Sequence, residues 1–246
     1  MAEFRIKIAG QVARVISLFD STRDYCARYL TEEGESVSIA VTPEDLAFEQ
    51  AALRAEALEE GIRVRTFTDP FLERAAIQRK LAEYLLHCDT LLLHGSTVAV
   101  DGQAYLFTAK CGTGKSTHTR LWRQVFGHRA VMVNDDKPFL IITAEGVLAC
   151  GAPWSGKHGL DTNISLPLKG ICLLERGTEN EIRRADAETL LPMLLAQGQE
   201  PRDPGEKERY RLLVNTLARS VPLWQMRCNK DHQAAVTAYE AMSGKK

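Results

Sequence analysis

The residues with the clearest chemical meaning form one short run near the middle of the chain. The run Ala109-Lys-Cys-Gly-Thr-Gly-Lys115-Ser116 matches the phosphate-binding pattern G-x-x-x-x-G-K-[ST], with Ala in place of the first Gly. Glycine at 112 and 114 lets the backbone turn tightly and aim its N–H groups at phosphate oxygens. Lys115 would reach the β- and γ-phosphates, and the hydroxyl of Ser116 would bind Mg²⁺. The residues expected to surround the phosphates are Ala109, Lys110, Cys111, Gly112, Thr113, Gly114, Lys115, Ser116 and Thr117.

The stretches on either side of this run favour the same interpretation. An apolar stretch, Tyr105 to Thr108, precedes the run as a strand would, and a helix-like stretch, Thr117 to Phe126, follows it. A helix that begins at such a loop presents the positive end of its dipole to an anion. Ala is tolerated at position 109 only if its φ is negative. The sequence therefore predicts a site for a nucleoside triphosphate, with ATP and Mg²⁺ as the expected ligands.

A second set of polar residues follows one helix and one strand later. The apolar stretch Val131-Met-Val leads directly into Asn134, Asp135 and Asp136. Neighbouring side chains on an extended backbone point to opposite sides, so one carboxylate can help to hold the metal while the other faces an acceptor. Two acids at a strand end are by themselves typical of a solvated turn. After a phosphate-binding loop they indicate a site.

Composition and charge exclude several other classes of protein. The chain has 246 residues, 45% of them hydrophobic, and a formal net charge of −1, so no basic surface for nucleic acid is expected. Its six cysteines are scattered without a C-x-x-C pair, which favours reduced thiols over a zinc site or a disulfide framework. The sequence shows neither a signal peptide nor an apolar run of membrane-spanning length. We therefore expect a cytoplasmic protein with no membrane or nucleic-acid partner.

The pattern of apolar and turn residues predicts an α/β protein in two parts. We expect a small N-terminal α/β subdomain over residues 1–88 and a nucleotide-binding domain over residues 89–246. In the first part, strands are predicted over 4–9, 12–16 and 37–41, and helices over 20–33, 43–60 and 69–85. In the second part, Asp101-Gly102 predicts a hairpin turn. Strands are predicted there over 91–94, 98–100, 105–108, 130–133, 139–142, 147–150 and 171–174, and helices over 187–197, 206–220 and 231–242.

Four short motifs, taken in order, resemble a known family. They are Leu93-His94-Gly95, Val100-Asp101-Gly102, the loop Cys111-Gly-Thr-Gly-Lys-Ser116, and Val133-Asn-Asp-Asp136. Together they resemble the catalytic domain of HPr kinase/phosphorylase, and the loop also resembles that of ATP-dependent phosphoenolpyruvate carboxykinase, which shares the same nucleotide-binding core. The resemblance spans 91–174, about a third of the chain. It implies a mixed-sheet P-loop core, preceded here by the small N-terminal subdomain.

The resemblance also implies roles for individual residues. Lys115 and Ser116 would contact phosphate and Mg²⁺, and Asp136 would be a second partner of the metal. Asp135 would be the base that accepts the proton of an acceptor hydroxyl, and His94 would lie close to Asp135. HPr kinases assemble as hexamers, so a homo-oligomer is one possible state of this chain.

The sequence departs from the family after the paired acids. HPr kinases carry a further Glu-Ile-Arg-Gly-like signature there, which this sequence lacks. In its place stands a glycine-rich stretch, Gly151 to Pro167, in which Lys157, His158 and Asn163 are the candidate acceptor-binding residues. Because related kinases act on serine in peptide precursors, the expected acceptor is a serine hydroxyl in a peptide, a protein or a small molecule rather than HPr.

Three functions are compatible with these residues. The first is a Mg·ATP-dependent kinase that transfers the γ-phosphoryl group to a hydroxyl. The second is a carboxykinase-like phosphotransferase acting on an enol acid, for which the sequence offers no clear second-metal His/Lys set. The third is a nucleotide-binding sensor or scaffold without turnover. Cys111, inside the loop, is expected to be the fastest-reacting thiol in each case.

Overall fold

The structure is a computed structural model that describes residues 1–59, 61 and 63–244. These residues form two compact units, Met1–Tyr84 and Leu85–Lys246. The division lies close to residue 88, where the sequence analysis separates the two parts. That the first unit is a domain in its own right stays a prediction.

The first unit combines a three-stranded sheet with helices. Strand β2 pairs with β1 in antiparallel and with β3 in parallel orientation. Its elements are β1 (Ala2–Ile8), β2 (Gln11–Ser17), α1 (Asp20–Tyr25), a 3-10 helix (Ala27–Tyr29), β3 (Val37–Ala40), α2 (Pro43–Glu59) and α3 (Asp69–Leu86), of which the last two residues belong to the second unit.

The single helix predicted over 20–33 is wrong. Helix α1 ends at Tyr25, and the chain continues through the short 3-10 turn into an extended Leu30. Leu30 forms an isolated bridge with Ile6, and this pairing with β1 draws the chain out of the helix. The predicted end of α2 at Glu60 lies outside the described residues.

The second unit is built on one mixed sheet. Its strands are β4 (Thr90–Leu92), β5 (Ser96–Val100), β6 (Gln103–Thr108), β7 (Ala130–Asn134), β8 (Phe139–Thr143), β9 (Gly146–Cys150), β10 (Ser165–Arg176), β11 (Glu181–Ala185) and β12 (Leu223–Cys228). Its helices are α4 (Lys115–Phe126), α5 (Ala187–Gln197), α6 (Pro204–Ser220) and α7 (His232–Ser243), with 3-10 turns at Gly127–Arg129 and Gly156–His158.

Strand β10 organises this sheet because it is long enough to pair with three neighbours. The strand order is β4-β8-β9-β10-β6-β5-β7, and β12 and then β11 extend the sheet from β10. The beginning of β10 pairs with β9 in antiparallel orientation, whereas its later part pairs in parallel with β6 and β12. The mixed α/β fold class predicted from the sequence is confirmed.

Both faces of the sheet are covered, so successive residues of the central strands enter different cores. On β6, Leu106 joins a core with α5 and α6, whereas Tyr105 and Phe107 join a core with α4 and α7, where Trp122 is completely buried. The predicted hairpin between β5 and β6 is present, and Asp101 and Gly102 both have positive φ, of 52° and 76°. None of the helices in the described part of the chain is long and apolar enough to cross a bilayer.

Two strands are absent from the sequence prediction. The residues of β11, Glu-Ile-Arg-Arg-Ala, are mostly charged and largely exposed, so they carry little alternation. Strand β12, Leu-Trp-Gln-Met-Arg-Cys, has an alternating pattern that would have identified it. Its position matters, because β12 ends beside the loop of residues 109–116.

Candidate active site

The predicted phosphate-binding loop lies between the end of β6 and the start of α4. Gly112 and Gly114 have φ values of +74° and +126°, in the region that favours glycine. Gly114 immediately precedes α4, and its carbonyl accepts the first helical hydrogen bond, from the N–H of His118 at 2.9 Å. The N–H groups of the first turn of α4 therefore end at the loop, an arrangement that favours an anion.

Lys115 is held inside this loop. Its side chain is buried, and its Nζ donates a hydrogen bond of 2.9 Å to the carbonyl of Ala109. The φ of Ala109 is not positive, which is the condition under which Ala can replace the first glycine of the pattern. Lys110, Cys111 and Gly112 are exposed at the loop's outer edge. The loop thus presents one buried cation near the helix N-terminus.

Arg176, at the end of β10, connects the sheet to the loop through hydrogen bonds. Its guanidinium donates to the carbonyl of Gly112 at 2.6 Å and to that of Thr113 at 3.4 Å. From the sequence, Arg176 is more readily explained as a solvated strand end than as part of the site. In the structure, the Arg176 side chain instead holds the loop in position. Arg176 and Gly112 are 64 residues apart in sequence, so no local pattern predicts this contact.

Asp135 is the better buried of the two acids and belongs to a chain of hydroxyl groups. Its Oδ1 accepts a hydrogen bond of 2.6 Å from Ser96 Oγ, which lies 2.7 Å from Thr119 Oγ1. Because Ser96 gives its single hydroxyl proton to Asp135, Thr119 is the donor in the 2.7 Å contact with Ser96. Thr119 lies one turn of α4 after Lys115, whose carbonyl oxygen is 3.4 Å from Thr119 Oγ1. Sequence reasoning misses Ser96 and Thr119. This chain couples the acid to the helix that follows the loop.

His94 contacts Asp136 and not Asp135, the acid beside which the resemblance places it. The His94 Nε2 and Asp136 Oδ1 atoms are 3.3 Å apart. The reason lies in the next residue, Gly95, whose N–H donates to the Asp136 carbonyl at 2.9 Å. A Cβ at Gly95 would lie 3.0 Å from a side-chain carbon of Leu106, so glycine allows this close approach.

The surroundings of Asp136 keep its carboxylate ionised. Burial acts to raise the pKa of Asp136, but the hydrogen bond with His94 and the charges of Lys137, His94 and Lys115 outweigh it. The net result is a pKa below the usual value for aspartate. Because the charge of Lys115 contributes to this lower pKa, Lys115 of the loop and the Asp136 carboxylate interact electrostatically.

Ser116 and the paired acids fit a magnesium ion that also binds phosphate. The described residues contain no cluster of three or more His, Cys, Asp or Glu side chains able to hold a metal by themselves. Mg²⁺ bound to a nucleotide commonly has only one or two carboxylates from the protein, with phosphate oxygens and water completing the shell. An ionised Asp136 and the hydroxyl of Ser116 meet that requirement.

Asn134 links the acids to the glycine-rich stretch. Its Oδ1 accepts from the N–H groups of Asp136 at 2.8 Å and Lys137 at 2.6 Å. Its Nδ2 donates to the carbonyls of Ala152 at 2.8 Å and Trp154 at 3.3 Å. The side chain is completely buried, so all four bonds are made away from bulk water.

The stretch Gly151 to Pro167 brings two of the three candidate acceptor-binding residues near the acids. A Cβ at Gly156 would lie 3.2 Å from the Cβ of Asp136, so the 3-10 turn packs closely against that acid. Lys157 and His158 are exposed on this same turn. Asn163 is exposed farther along, two residues before β10. The roles of all three in binding an acceptor stay predictions.

Cys111 gives a direct test of the loop. All six cysteines are free, and Cys111 is the exposed one. Burial raises the pKa of Cys150 to about 11 and raises that of Cys172 and Cys228, which lowers their thiolate fractions. We expect Cys111 to be alkylated first, and Mg·ATP to slow this reaction. Peptide mapping by mass spectrometry measures the rates; equal labelling of Cys111 with and without nucleotide would contradict the assignment of the loop.

Comparison with known proteins adds little to this geometry. No protein-family model matches the sequence, and no curated protein matches it. Among solved structures, the chain is similar to the HPr(Ser) kinase/phosphatase from Coxiella burnetii, with a TM-score of 0.36 and 11% identity over 62% of this chain and 99% of that chain. A similarity of this size carries no information on the reaction.

Proposed function

We propose that this protein is a Mg·ATP-dependent kinase that transfers the γ-phosphoryl group of ATP to a hydroxyl, most simply a serine in a peptide, a protein or a small molecule. One observation carries the proposal. The glycine-containing loop with its buried Lys115 leads into α4, and the buried hydroxyl groups of Thr119 and Ser96 link that helix to Asp135, the first of two adjacent carboxylates. The motif resemblance to HPr kinase, found from the sequence, points in the same direction.

The proposed step needs little covalent chemistry from the protein. The acceptor oxygen attacks the γ-phosphorus, the bond from that phosphorus to the bridging β–γ oxygen breaks, and ADP leaves with the electron pair. Ser96 holds Oδ1 of Asp135, and Oδ2 would take the proton that the acceptor hydroxyl releases. The loop N–H groups and Lys115 would stabilise the charge on the transferred phosphoryl group. Mg²⁺, held by Ser116 and Asp136, would neutralise phosphate charge.

The glycine-rich stretch is the proposed acceptor side of the site. It packs against Asp136 through Gly156 and is bonded to the acids through Asn134. Lys157 and His158 would then contact the acceptor next to the reacting hydroxyl. A reaction that consumes ATP fits the cytoplasm, in agreement with the reduced cysteines that the sequence predicts. Assembly into a homo-oligomer is compatible with the proposal but is not needed by it.

The direct test is transfer from ATP labelled in the γ-phosphate. Free serine and short serine-containing peptides are incubated with the protein, ATP and Mg²⁺, and matched acceptors with Ala in place of Ser are the controls. We expect label in serine acceptors and none in the Ala controls. If ATP binds but label appears neither in an acceptor nor as free phosphate, the protein is a nucleotide-binding sensor or scaffold and the kinase proposal is wrong.

A further inference from the structure

The two sides of α4 face different surroundings. Thr119 faces Ser96 and so belongs to the side that carries Asp135. His118 and Leu121 are three residues apart, so they share another face of the helix, which lines a cleft. A triphosphate held in the loop has two ends. Because the γ-phosphate must lie near Asp135 and Asp136, the nucleoside end has to extend from the loop on a different side of α4.

The cleft lies where that end would emerge. It has a volume of about 480 Å³ and begins at the loop itself, with Gly112, Thr113 and Gly114 in its wall. The opposite wall is formed by the ends of β10 and β12. The lining residues that bear on the argument are Leu121, Leu174, Arg176, Cys228 and Lys230.

We propose that this cleft binds the base and ribose of the nucleotide whose phosphates occupy the loop, an inference that rests on the proposed function. Leu121 and Leu174 give it apolar surface suited to the flat face of a base. Arg176 and Lys230 supply cations next to the loop, where the phosphates closest to the ribose would lie.

His118 keeps the helix side of the cleft uncharged. The indole Nε1–H of Trp122 donates to His118 Nε2 at 3.1 Å, and since indole is only a donor, Nε2 must be unprotonated. The ring proton of neutral His118 therefore lies on Nδ1, which is 3.9 Å from Cys228 Sγ. Burial lowers the pKa of His118 to about 4, so the ring stays neutral near pH 7. The helix side of the cleft is therefore uncharged, which suits the uncharged ring of a base.

The opposite wall is preformed by backbone contacts. Gly177 donates its N–H to the Cys228 carbonyl at 2.9 Å, and a Cβ there would lie 3.2 Å from the Cβ of Arg227. Asn229 fixes the following turn, because its Nδ2 donates to the Thr178 carbonyl at 3.0 Å. Small-molecule sites are usually largely preformed, and this wall meets that expectation.

The test separates the nucleoside end from the phosphate end. ATP and inorganic tripolyphosphate, each with Mg²⁺, are titrated calorimetrically into the parent protein and into Cys228→Phe. The added ring fills the cleft without changing the loop. We expect ATP affinity to fall about tenfold or more and tripolyphosphate affinity to stay within about twofold. The control is Cys88→Phe, the same change at another half-buried cysteine that lies outside the cleft.

A labelling experiment on the unmodified protein covers the case in which Cys228→Phe does not fold or binds both ligands less tightly. A neutral maleimide is applied at mildly alkaline pH, and labelled peptides are counted by mass spectrometry. ATP should protect Cys111 and Cys228, whereas tripolyphosphate should protect Cys111 alone. Unchanged ATP affinity in Cys228→Phe, or equal labelling of Cys228 with ATP and with tripolyphosphate, would overturn the cleft assignment. If the parent binds neither ligand, the proposed function itself fails.

Discussion

The Asp135→Asn protein should bind ATP like the parent and transfer phosphate about a hundredfold or more slowly. The amide cannot take the acceptor proton, but its oxygen can still accept the hydrogen bond that Ser96 gives to Oδ1. The fold and the loop should therefore be preserved. Single-turnover transfer from γ-labelled ATP measures the chemical step, and calorimetry measures ATP binding.

The matched control for this change is Asp101→Asn. Asp101 lies in the β5–β6 hairpin and pairs with Arg129 at 2.6 Å on the surface, where an ion pair contributes little. Asn also tolerates the positive φ of that position. Transfer by Asp101→Asn should match the parent. If Asp135→Asn retains parental transfer, Asp135 is not the base.

Replacing Lys115 with Ala should lower both ATP affinity and transfer, with transfer reduced about a hundredfold to a thousandfold. The loop would lose its buried cation, and the β- and γ-phosphates would lose the charge that compensates them. The Nζ bond to the Ala109 carbonyl is also lost. A thermal melt separates the effect on stability from the effect on binding.

Lys169→Ala provides the comparison for Lys115→Ala. Lys169 is exposed on β10, so its removal changes the net charge equally without touching the loop. ATP binding by Lys169→Ala should be unchanged. If the two variants bind and transfer alike, the residues around Lys115 do not form a nucleotide site, and the central assignment of the loop is wrong.

Features that depend on neighbouring residues could be predicted from the sequence. The loop, the hairpin at Asp101, and the strand that delivers the paired acids each follow from a local pattern, and the structure contains all of them. The α/β class also follows from the pattern of apolar and turn residues, whereas the mixed sheet is implied only by the resemblance to HPr kinase.

Features that depend on distant partners could not be predicted in this way. Ser96 is 39 residues from Asp135, and Arg176 is 64 residues from Gly112, so only the folded chain brings these pairs together. The contact of His94 with Asp136 depends on the backbone bond made by Gly95, which no side-chain pattern encodes. A resemblance to a family names the residues of a site but not which of them touch.

The bonding of Asn134 has a consequence for engineering. The Asn134 amide fixes both the turn that carries the acids and the start of the neighbouring stretch. A Cβ at Gly151 would lie only 1.9 Å from the Thr162 carbonyl oxygen. Neither position 134 nor position 151 therefore tolerates a different side chain. Mutations there should impair turnover of every acceptor equally. A library that seeks altered acceptor preference is therefore best confined to Lys157 and His158, whose side chains are exposed. Gly156 and Leu160 are left unchanged, because a Cβ at Gly156 would lie 3.2 Å from the Cβ of Asp136 and the Leu160 carbonyl accepts the N–H of Asp135.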